Sequence, residues 1–238
     1  MPNRIDAPGT AEAAWRAWSA PRRFPVAGVG DWASAVVVAA HPDDEILGAG
    51  GTMALLAQAG ARLRLVAVTD GEASHPGARD PAELASRRIA ESAAALKILG
   101  AGSVDVVRLR LPDTGLTDRE GELADILRRL CAGFDVCLAP WEDDAHADHE
   151  AAGRAARRAA GHVLRYPVWM WHWAIPDDER VPWDRCRQIP LPPDIAAGKH
   201  AAIQAFASQL TDGGPFGAAV LPPGIVAHFT RAREVFFW

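Results

Sequence analysis

An excess of basic residues is absent from this chain. Its 238 residues include 25 Lys and Arg against 30 Asp and Glu, which gives a formal net charge of -5. Proteins that bind nucleic-acid phosphates over a broad surface need a positive field. The composition therefore argues against nucleic acid as a partner.

Long hydrophobic runs are also absent. No stretch approaches the roughly 20 apolar residues that a membrane-spanning helix needs. Residues 1–28 lack the continuous apolar core of a signal peptide. We therefore expect a cytoplasmic protein with no membrane-inserted segment.

Cysteine is scarce and irregularly spaced. The three cysteines, Cys131, Cys137 and Cys186, are odd in number and include no pair two residues apart. This pattern excludes both a thiolate metal site and a disulfide framework. We expect all three side chains to be buried as small apolar groups.

The chain does contain a regular alternation of two kinds of segment. Short apolar or β-branched runs, typical of strands, alternate with helix-like segments that begin at proline or end at glycine. The strand-like runs are residues 36–40, 63–69, 104–109 and 136–139, and the helix-like segments are residues 46–58, 81–99, 117–131 and 149–160. Apolar strands separated by amphipathic helices indicate a parallel sheet that is covered on both faces.

The predicted fold is therefore α/β, a Rossmann-like three-layer α/β/α sandwich with a mostly parallel sheet in a single domain. Residues 1–34 would be an N-terminal extension and residues 35–165 the Rossmann-like core. Residues 166–238 would close the substrate pocket, and the part over 166–193 is rich in Trp and Pro, as loops and short irregular pieces are.

Acidic and histidine side chains cluster after two of the predicted strands. The run "HPDDE" follows the first strand at residues 41–45, and "WEDDAHADH" follows the fourth at residues 141–149. With the strand order 3-2-1-4-5, these strands are neighbours, and ligands bind outside their carboxyl ends. We expect both clusters to face one crevice.

Histidine and carboxylate ligands in such a crevice suit a catalytic zinc, which takes three protein ligands and keeps one position for water. His41 and Asp44 are three residues apart, as are His146 and His149, so each pair can face one point. Taken singly, the acids could instead be ordinary first-turn residues at a helix N-terminus.

A glycine run gives an alternative. "GAGG" at residues 48–51 follows the first strand, where a dinucleotide-binding fingerprint would lie, and Asp70 stands about 20 residues further on, where such a site holds a ribose. The glycines come after "HPDDE", however, so we place them inside the first helix, where they allow close packing on the sheet.

Two motifs give the sequence a family resemblance. "AHPDDE" at residues 40–45 and "HADH" at residues 146–149 resemble the first and second motifs of the PIG-L/LmbE-like zinc-dependent deacetylases, which include N-acetylglucosaminyl-phosphatidylinositol and mycothiol-pathway deacetylases. Weaker similarity extends over "VTDGE" (68–72), "RIAESAAALKILG" (88–100), "LPDTG" (111–115) and "KHAAIQAFASQ" (199–209).

The resemblance implies a role for each motif residue. His41, Asp44 and His149 would ligate the metal, Zn²⁺ or alternatively Fe²⁺ or another divalent transition metal. Asp43 would be the general base. His146 would contact the oxyanion and, as an imidazolium, protonate the leaving amine, with Asp148 orienting it.

Substrate contacts are implied at Arg88 and Asp113. Arg88 could instead pair with Glu91 along its helix, and Asp113 could be a turn residue ahead of Gly115. The tryptophans at 169, 171, 173 and 183 suit a sugar-stacking wall, but also core packing or a contact in a homo-oligomer.

These expectations define the functional hypotheses. The first is a metal-dependent hydrolase that removes an N-acetyl group from an N-acetylated amino sugar or a glycosylated small metabolite. The second is an amidase of the same family that acts on another amide, such as a thiol conjugate. The third is a non-catalytic nucleotide-binding Rossmann module with an acidic cleft.

Overall fold

Seven strands form one sheet in the computed structural model, which describes residue 5 and residues 7–75, 80–211 and 218–238. The strands are β1 (Ser34–Ala39), β2 (Arg62–Ala67), β3 (Asp105–Arg108), β4 (Val136–Pro140), β5 (Val163–Tyr166), β6 (Cys186–Pro190) and β7 (Arg233–Phe237). Their order is β3-β2-β1-β4-β5-β7-β6.

The first five strands are parallel and have the predicted order 3-2-1-4-5. β1 lies at the centre, and all six of its residues are buried. Successive side chains point to opposite faces, so Val37 enters one apolar cluster while Val36 and Val38 enter the other. This two-sided burial explains why β1 is apolar throughout.

Helices cover both faces of the sheet. α2, α3 and α7 contribute to one cluster, and α4 and α5 to the other. The helices are α1 (Glu12–Ala17), α2 (Asp44–Gln58), α3 (Pro81–Ile98), α4 (Glu120–Leu130), α5 (Ala147–Ala159), α6 (Met170–Trp173), α7 (Pro193–Ile203), α8 (Ala207–Leu210) and α9 (Pro223–Val226), with 3-10 turns at Ala20–Arg23, Val29–Asp31, Leu116–Arg119, Trp183–Arg185 and Ala227–Phe229. The three-layer, single-domain prediction is confirmed.

The sequence missed the far side of the sheet. β7 pairs antiparallel with both β5 and β6, so the parallel sheet continues into an antiparallel edge. β6 lies in the Trp- and Pro-rich segment that we expected to be irregular, and its sequence "CRQIP" has little apolar pattern. An edge strand tolerates Pro190, because one side of its backbone needs no ladder partner.

The expected packing role of the glycines in α2 is confirmed. Gly48 lies so close to the sheet that a β-carbon there would meet the ring of Tyr166 at 2.0 Å. The phenol of Tyr166 in turn donates to the carbonyl oxygen of Val38 at 2.7 Å. The glycines thus serve helix packing and do not form the strand-to-helix turn of a dinucleotide site.

A buried ion pair engages the middle of α2. Lys199 of α7 donates to Glu234 of β7 and to the carbonyl oxygen of Leu47, at 2.6 and 2.7 Å. Glu234 also accepts from the backbone N–H groups of Gly51 and Thr52. Because Lys199 and Glu234 are both nearly inaccessible to solvent, this contact joins three elements through a buried pair of charges.

The N-terminal extension packs on the Trp-rich segment. Trp15 of α1 is buried against Trp171 of α6, with ring centroids 5.1 Å apart, and its indole N–H donates to the carbonyl oxygen of Trp171. Trp18 lies against Trp183 at 4.6 Å. All three cysteines are buried, as expected. Among the described helices, none has the length and apolarity required to cross a bilayer.

We predict that Lys199→Met destabilises the fold by about 3 to 5 kcal/mol, because it leaves the charge of Glu234 buried without a cation. Asp125→Asn is the control, since it breaks an exposed ion pair with Arg128 and should cost less than about 1 kcal/mol. Urea unfolding measures both. If Lys199→Met lowers the free energy of unfolding by less than about 1 kcal/mol, the ion pair is not important for the stability of the fold.

Candidate metal and active site

Loops that follow β1, β3 and β4 converge at the carboxyl edge of the sheet, as the sequence predicted. They enclose a cavity of about 210 Å³. Seven of the eight predicted site residues line it, and these are His41, Asp43, Asp44, Arg88, Asp113, His146 and His149. The eighth, Asp148, is buried beside His41.

Each of these loops holds a non-glycine residue in a left-handed conformation. The φ angles are 124° at Asp43, 66° at Thr114 and 69° at Ala145. Such angles cost free energy and persist only where the surrounding contacts enforce them, which is common at functional sites. The strain is therefore concentrated where the predicted catalytic side chains lie.

The carboxylate of Asp44 lies between two histidines. Its Oδ2 is 3.5 Å from Nδ1 of His41 and accepts from the backbone N–H of the same residue at 2.8 Å. Its Oδ1 is 3.2 Å from Nε2 of His149. One nitrogen of each imidazole and both oxygens of the carboxylate thus face a common region.

The nitrogen of His149 that points away from Asp44 contacts another buried carboxylate. Nδ1 is 2.8 Å from Asp144, whose oxygens also accept from the backbone N–H groups of Val168, Trp169 and Met170. Asp144 is fully buried, and it ties the ring of His149 to the start of α6. We did not assign Asp144 from the sequence, although it stands in the same acidic run as the motif.

The nitrogen of His41 that points away from Asp44 also contacts carboxylates. Nε2 lies 3.2 Å from both Asp113 and Asp148. Asp148 also accepts from the backbone N–H groups of Thr114 and Leu116, which fixes its position. We expected Asp148 to orient His146 and Asp113 to face substrate. In the structure both carboxylates contact His41, because the loop after β3 brings Asp113 to this ring and the first turn of α5 brings Asp148.

This donor set fits a divalent cation. Each histidine presents one nitrogen towards Asp44 and uses the other on a carboxylate, which is how metal-ligating histidines are oriented in proteins. Two groups within the described residues have ligand atoms close enough to hold an ion: His41, His146 and His149, and His41, Asp113 and Asp148. A divalent metal is compatible with this site.

The electrostatics support the same conclusion. Burial lowers the pKa of His41, but hydrogen bonds to Asp113, Asp148 and Asp44 outweigh it and raise the pKa well above its ordinary value. Burial also opposes protonation of His149, yet Asp44 and Asp144 raise its pKa to about 9. The surrounding carboxylates thus attract positive charge to these two rings, and a metal ion supplies positive charge in the same place.

Asp43 is held by Arg88. The guanidinium donates to Oδ2 of Asp43 at 3.1 Å and to the carbonyl oxygens of Pro42 and Gly71. Burial raises the pKa of Asp43 to about 7, against the opposing charge of Arg88. Arg88 does not pair with Glu91, which accepts from Ser208 instead. Arg88 is therefore positioned to orient the predicted base.

His146 caps the N-terminus of α5, and its Nδ1 accepts from the backbone N–H of Asp148 at 3.3 Å. Burial and the positive charges of His149 and His41 together lower the pKa of His146 to about 3. This direction is opposite to our expectation that nearby carboxylates keep the imidazole protonated, because burial and the two neighbouring histidines outweigh Asp44 and Asp148. The neutral ring carries its proton on Nε2.

Two further side chains complete the cavity. Trp169 lines it, as one of the tryptophans proposed to form a sugar-stacking wall, while Trp171 lies elsewhere in the core. Gln209 is fully buried, and within the described residues its Oε1 has no hydrogen-bond partner. Gln209 comes from α8, about 60 residues beyond the second motif. It is the last residue of the stretch 199–209 that carries weaker family similarity, but that similarity gave it no role.

Comparison with known proteins agrees with this geometry. Residues 36–160, more than half of the chain, match the PIG-L family, described as GlcNAc-PI de-N-acetylase. A 1D-myo-inositol 2-acetamido-2-deoxy-alpha-D-glucopyranoside deacetylase from Catenulispora acidiphila is 32% identical over 154 residues, or 53% of this chain. The chain spans about half of that relative, since the match covers 51% of its length.

Solved structures show the same fold. A conserved protein from Thermus thermophilus superposes with a TM-score of 0.55 and 31% identity, over 74% of this chain and 79% of that one. The N,N'-diacetylchitobiose deacetylase from Pyrococcus horikoshii superposes with a TM-score of 0.58 and 21% identity, over 87% of this chain and 82% of that one. With the two motifs and their geometry in place, the family match is decisive: the chain belongs to the PIG-L family.

Proposed function

We propose that this protein is a metal-dependent N-deacetylase that hydrolyses the acetamide of an N-acetylated amino sugar or a glycosylated small metabolite. The main observation in support is that Asp43, held by Arg88, lines the same cavity as the histidines that flank Asp44. A potential base thus stands beside a potential metal site. Relatives named as deacetylases of amino sugars support the substrate class.

The proposed ligands are Nδ1 of His41, Nε2 of His149 and the carboxylate of Asp44. Zinc is the proposed metal, with Fe²⁺ as the alternative. A bound divalent ion would polarise the amide carbonyl and make a water molecule more acidic. The contacts with Asp144, Asp113 and Asp148 hold the two rings in the orientation that this requires.

Asp43 carries the proton transfers in this proposal. Water adds to the acetyl carbon while its proton passes to the carboxylate of Asp43. When the carbon–nitrogen bond breaks, Asp43 returns that proton to the nitrogen, and acetate and a free amine are the products. Arg88 keeps Asp43 directed at the cavity, so its proposed role is positioning as well as substrate contact.

His146 has the hydrogen-bond donor that the tetrahedral intermediate needs. Its Nδ1 is engaged by the backbone N–H of Asp148, which leaves the proton on Nε2 of the neutral ring. Because the ring lines the cavity, that N–H is available to the oxyanion. Protonation of the amine then falls to Asp43 and not to His146.

The rest of the cavity suits a sugar. Trp169 offers an aromatic wall, and Gln209 offers an unpaired acceptor oxygen among the described residues. Asp113 also lines the cavity and remains a proposed substrate contact. Hydroxyl groups of a sugar can donate to such acceptors while the ring face contacts the indole.

The nucleotide-binding alternative has little support. The glycines of α2 pack against the sheet, and Asp70 forms an ion pair with Arg108. An amidase acting on another amide, such as a thiol conjugate, would use the same metal and base. A substrate panel separates that alternative from the deacetylase.

We predict that the purified protein, loaded with zinc or Fe²⁺, releases equimolar acetate and free amine from at least one N-acetylated amino sugar. The panel contains N-acetylglucosamine, N,N'-diacetylchitobiose and an N-acetylglucosaminyl inositol, with a cysteine-conjugate amide as the competing substrate. Chelation should abolish release. Turnover of the conjugate alone would identify an amidase, and no acetate from any sugar would contradict the deacetylase proposal.

We predict that Asp43→Asn lowers kcat by about 10²- to 10⁴-fold while bound metal is unchanged, because the substitution removes the base and no ligand. Asp143→Asn is the control, since it removes the same charge from an exposed residue. Metal analysis and acetate release are measured on both. Full activity in Asp43→Asn would exclude its role as the base.

We predict that Asp144→Asn weakens metal affinity by about 10- to 100-fold, because His149 loses the carboxylate that orients its ring. His149→Ala should retain almost no metal, and Asp143→Asn should bind like the wild type. Competition with a chelator gives the three affinities. If Asp144→Asn binds metal as tightly as Asp143→Asn, the contact with His149 does not support the site.

A further inference from the structure

A second cavity, of about 280 Å³, lies beside the first turns of α2. Leu47 lines both cavities, but none of the proposed metal ligands lines the second one. Its walls come mainly from residues 15–22 and 228–235, which lie outside the range that matches the family. We call it the basic cavity, for the side chains described next.

Four arginines line the basic cavity: Arg16, Arg22, Arg231 and Arg233. Arg16 and Arg231 share one carboxylate, that of Glu12, at 3.1 and 2.6 Å. Within the described part of the chain, neither Arg22 nor Arg233 has a carboxylate at ion-pair distance. Lys199, which also lines the cavity, is already paired with Glu234. Positive charge is therefore in excess here.

Gln188 of β6 contacts the side chain of Arg233 and the backbone of Arg22. Its amide oxygen accepts from Arg233 at 3.1 Å, and its amide nitrogen donates to the backbone oxygen of Arg22 at 3.3 Å. Burial lowers the pKa of Arg233, and repulsion from Arg22 and Arg231 adds to this effect. Two guanidinium groups that repel each other at one wall form a place where an anion is stabilised.

Aromatic rings form the other wall. Trp15, Trp18 and Trp171 line the cavity, and the guanidinium of Arg231 lies 4.2 Å from the ring centroid of Trp171. The indole N–H groups of Trp15 and Trp18 are used inside the protein, by Trp171 and Asp177 respectively. These two rings therefore offer apolar area to a ligand, while polar recognition falls to the arginines.

We propose that the basic cavity binds a small organic anion, in which a phosphate or carboxylate group is joined to a flat or apolar body. Arg22 and Arg233 bind the anionic group, and the tryptophans contact the body. The volume suits a ligand of modest size. The site is separate from the metal site, and it does not depend on the reaction catalysed there.

The test is calorimetric titration of the metal-loaded protein with three probes: phenyl phosphate, phenylacetate and inorganic phosphate. The double variant Arg22→Gln/Arg233→Gln removes both unpaired charges. Arg23→Gln is the matched control, because Arg23 is the exposed neighbour of Arg22 and does not line the cavity. Comparison of phenyl phosphate with phenylacetate shows whether the site prefers a phosphate or a carboxylate group. Comparison of phenyl phosphate with inorganic phosphate measures how much the aromatic body of the ligand adds to the affinity.

We expect one aromatic probe to bind with one-to-one stoichiometry, and the double variant to bind it about 10- to 100-fold more weakly. Arg23→Gln should stay within about twofold of the wild type, and inorganic phosphate should bind more weakly than phenyl phosphate. No binding of any probe up to about 10 mM would overturn the proposal. So would equal affinity of the wild type and the double variant, which would place the anion elsewhere, including at the metal.

A second variant covers the case in which the double variant does not fold. Arg22→Gln changes an exposed side chain with no ion pair among the described residues, so folding should be unaffected. We expect its affinity for the aromatic probe to fall by at least about threefold. An unchanged affinity would overturn the proposal.

Discussion

The contact of Asp44 with two histidines is the interaction around which the site is arranged. One buried carboxylate faces His41 and His149, and each histidine contacts further carboxylates on its outer side. Buried acids at such density are unfavourable unless positive charge lies among them. The imidazoles supply part of that charge, and a divalent cation would supply the rest. Neutralisation by this positive charge therefore accounts for the acidic run after β1, in addition to any favourable effect of acids at a helix N-terminus.

Helix α2 connects this site to the rest of the molecule. It begins at Asp44, packs on the sheet through Gly48, and is engaged at its middle by Lys199 and Glu234 from the C-terminal part of the chain. Rigid attachment of α2 matters because the left-handed conformation of Asp43 immediately precedes it. A strained backbone keeps its geometry only when its neighbours cannot move.

The two cavities differ in how they are built. The proposed metal site is formed mainly by loops within the range that matches the family, whereas the walls of the basic cavity come mainly from residues 15–22 and 228–235. Trp171 of α6 lies between these segments, since Trp15 packs on its ring and the guanidinium of Arg231 is 4.2 Å from its centroid. The chain therefore combines a core that matches the family model with a pocket whose walls come mainly from segments outside that range.

The sequence by itself determined the first four parallel strands, their order and the meeting of the two motifs at one edge. These follow from local patterns, namely apolar strands, amphipathic helices and the rule that ligands bind where the winding reverses. It also selected residues that line the cavity at this edge, since spacing pairs His41 with Asp44 and His146 with His149. The choice of His41, Asp44 and His149 as metal ligands came from the family resemblance. The sequence analysis assigned no strand-like run at β5, the fifth parallel strand. Strand β6 lacked an apolar pattern, because an edge strand needs little apolar sequence. Strand β7 was also missed, although it lies between β5 and β6 and four of its five residues are buried.

Only the tertiary structure decided which partner each charged group takes. Asp148 and Asp113 contact His41, Arg88 contacts Asp43, and Asp144 supports His149. Several acids lie within reach of each histidine along the sequence, so spacing cannot select among them. The partner of each histidine is determined by side-chain direction and burial, and both depend on how loops from separate strands pack in three dimensions.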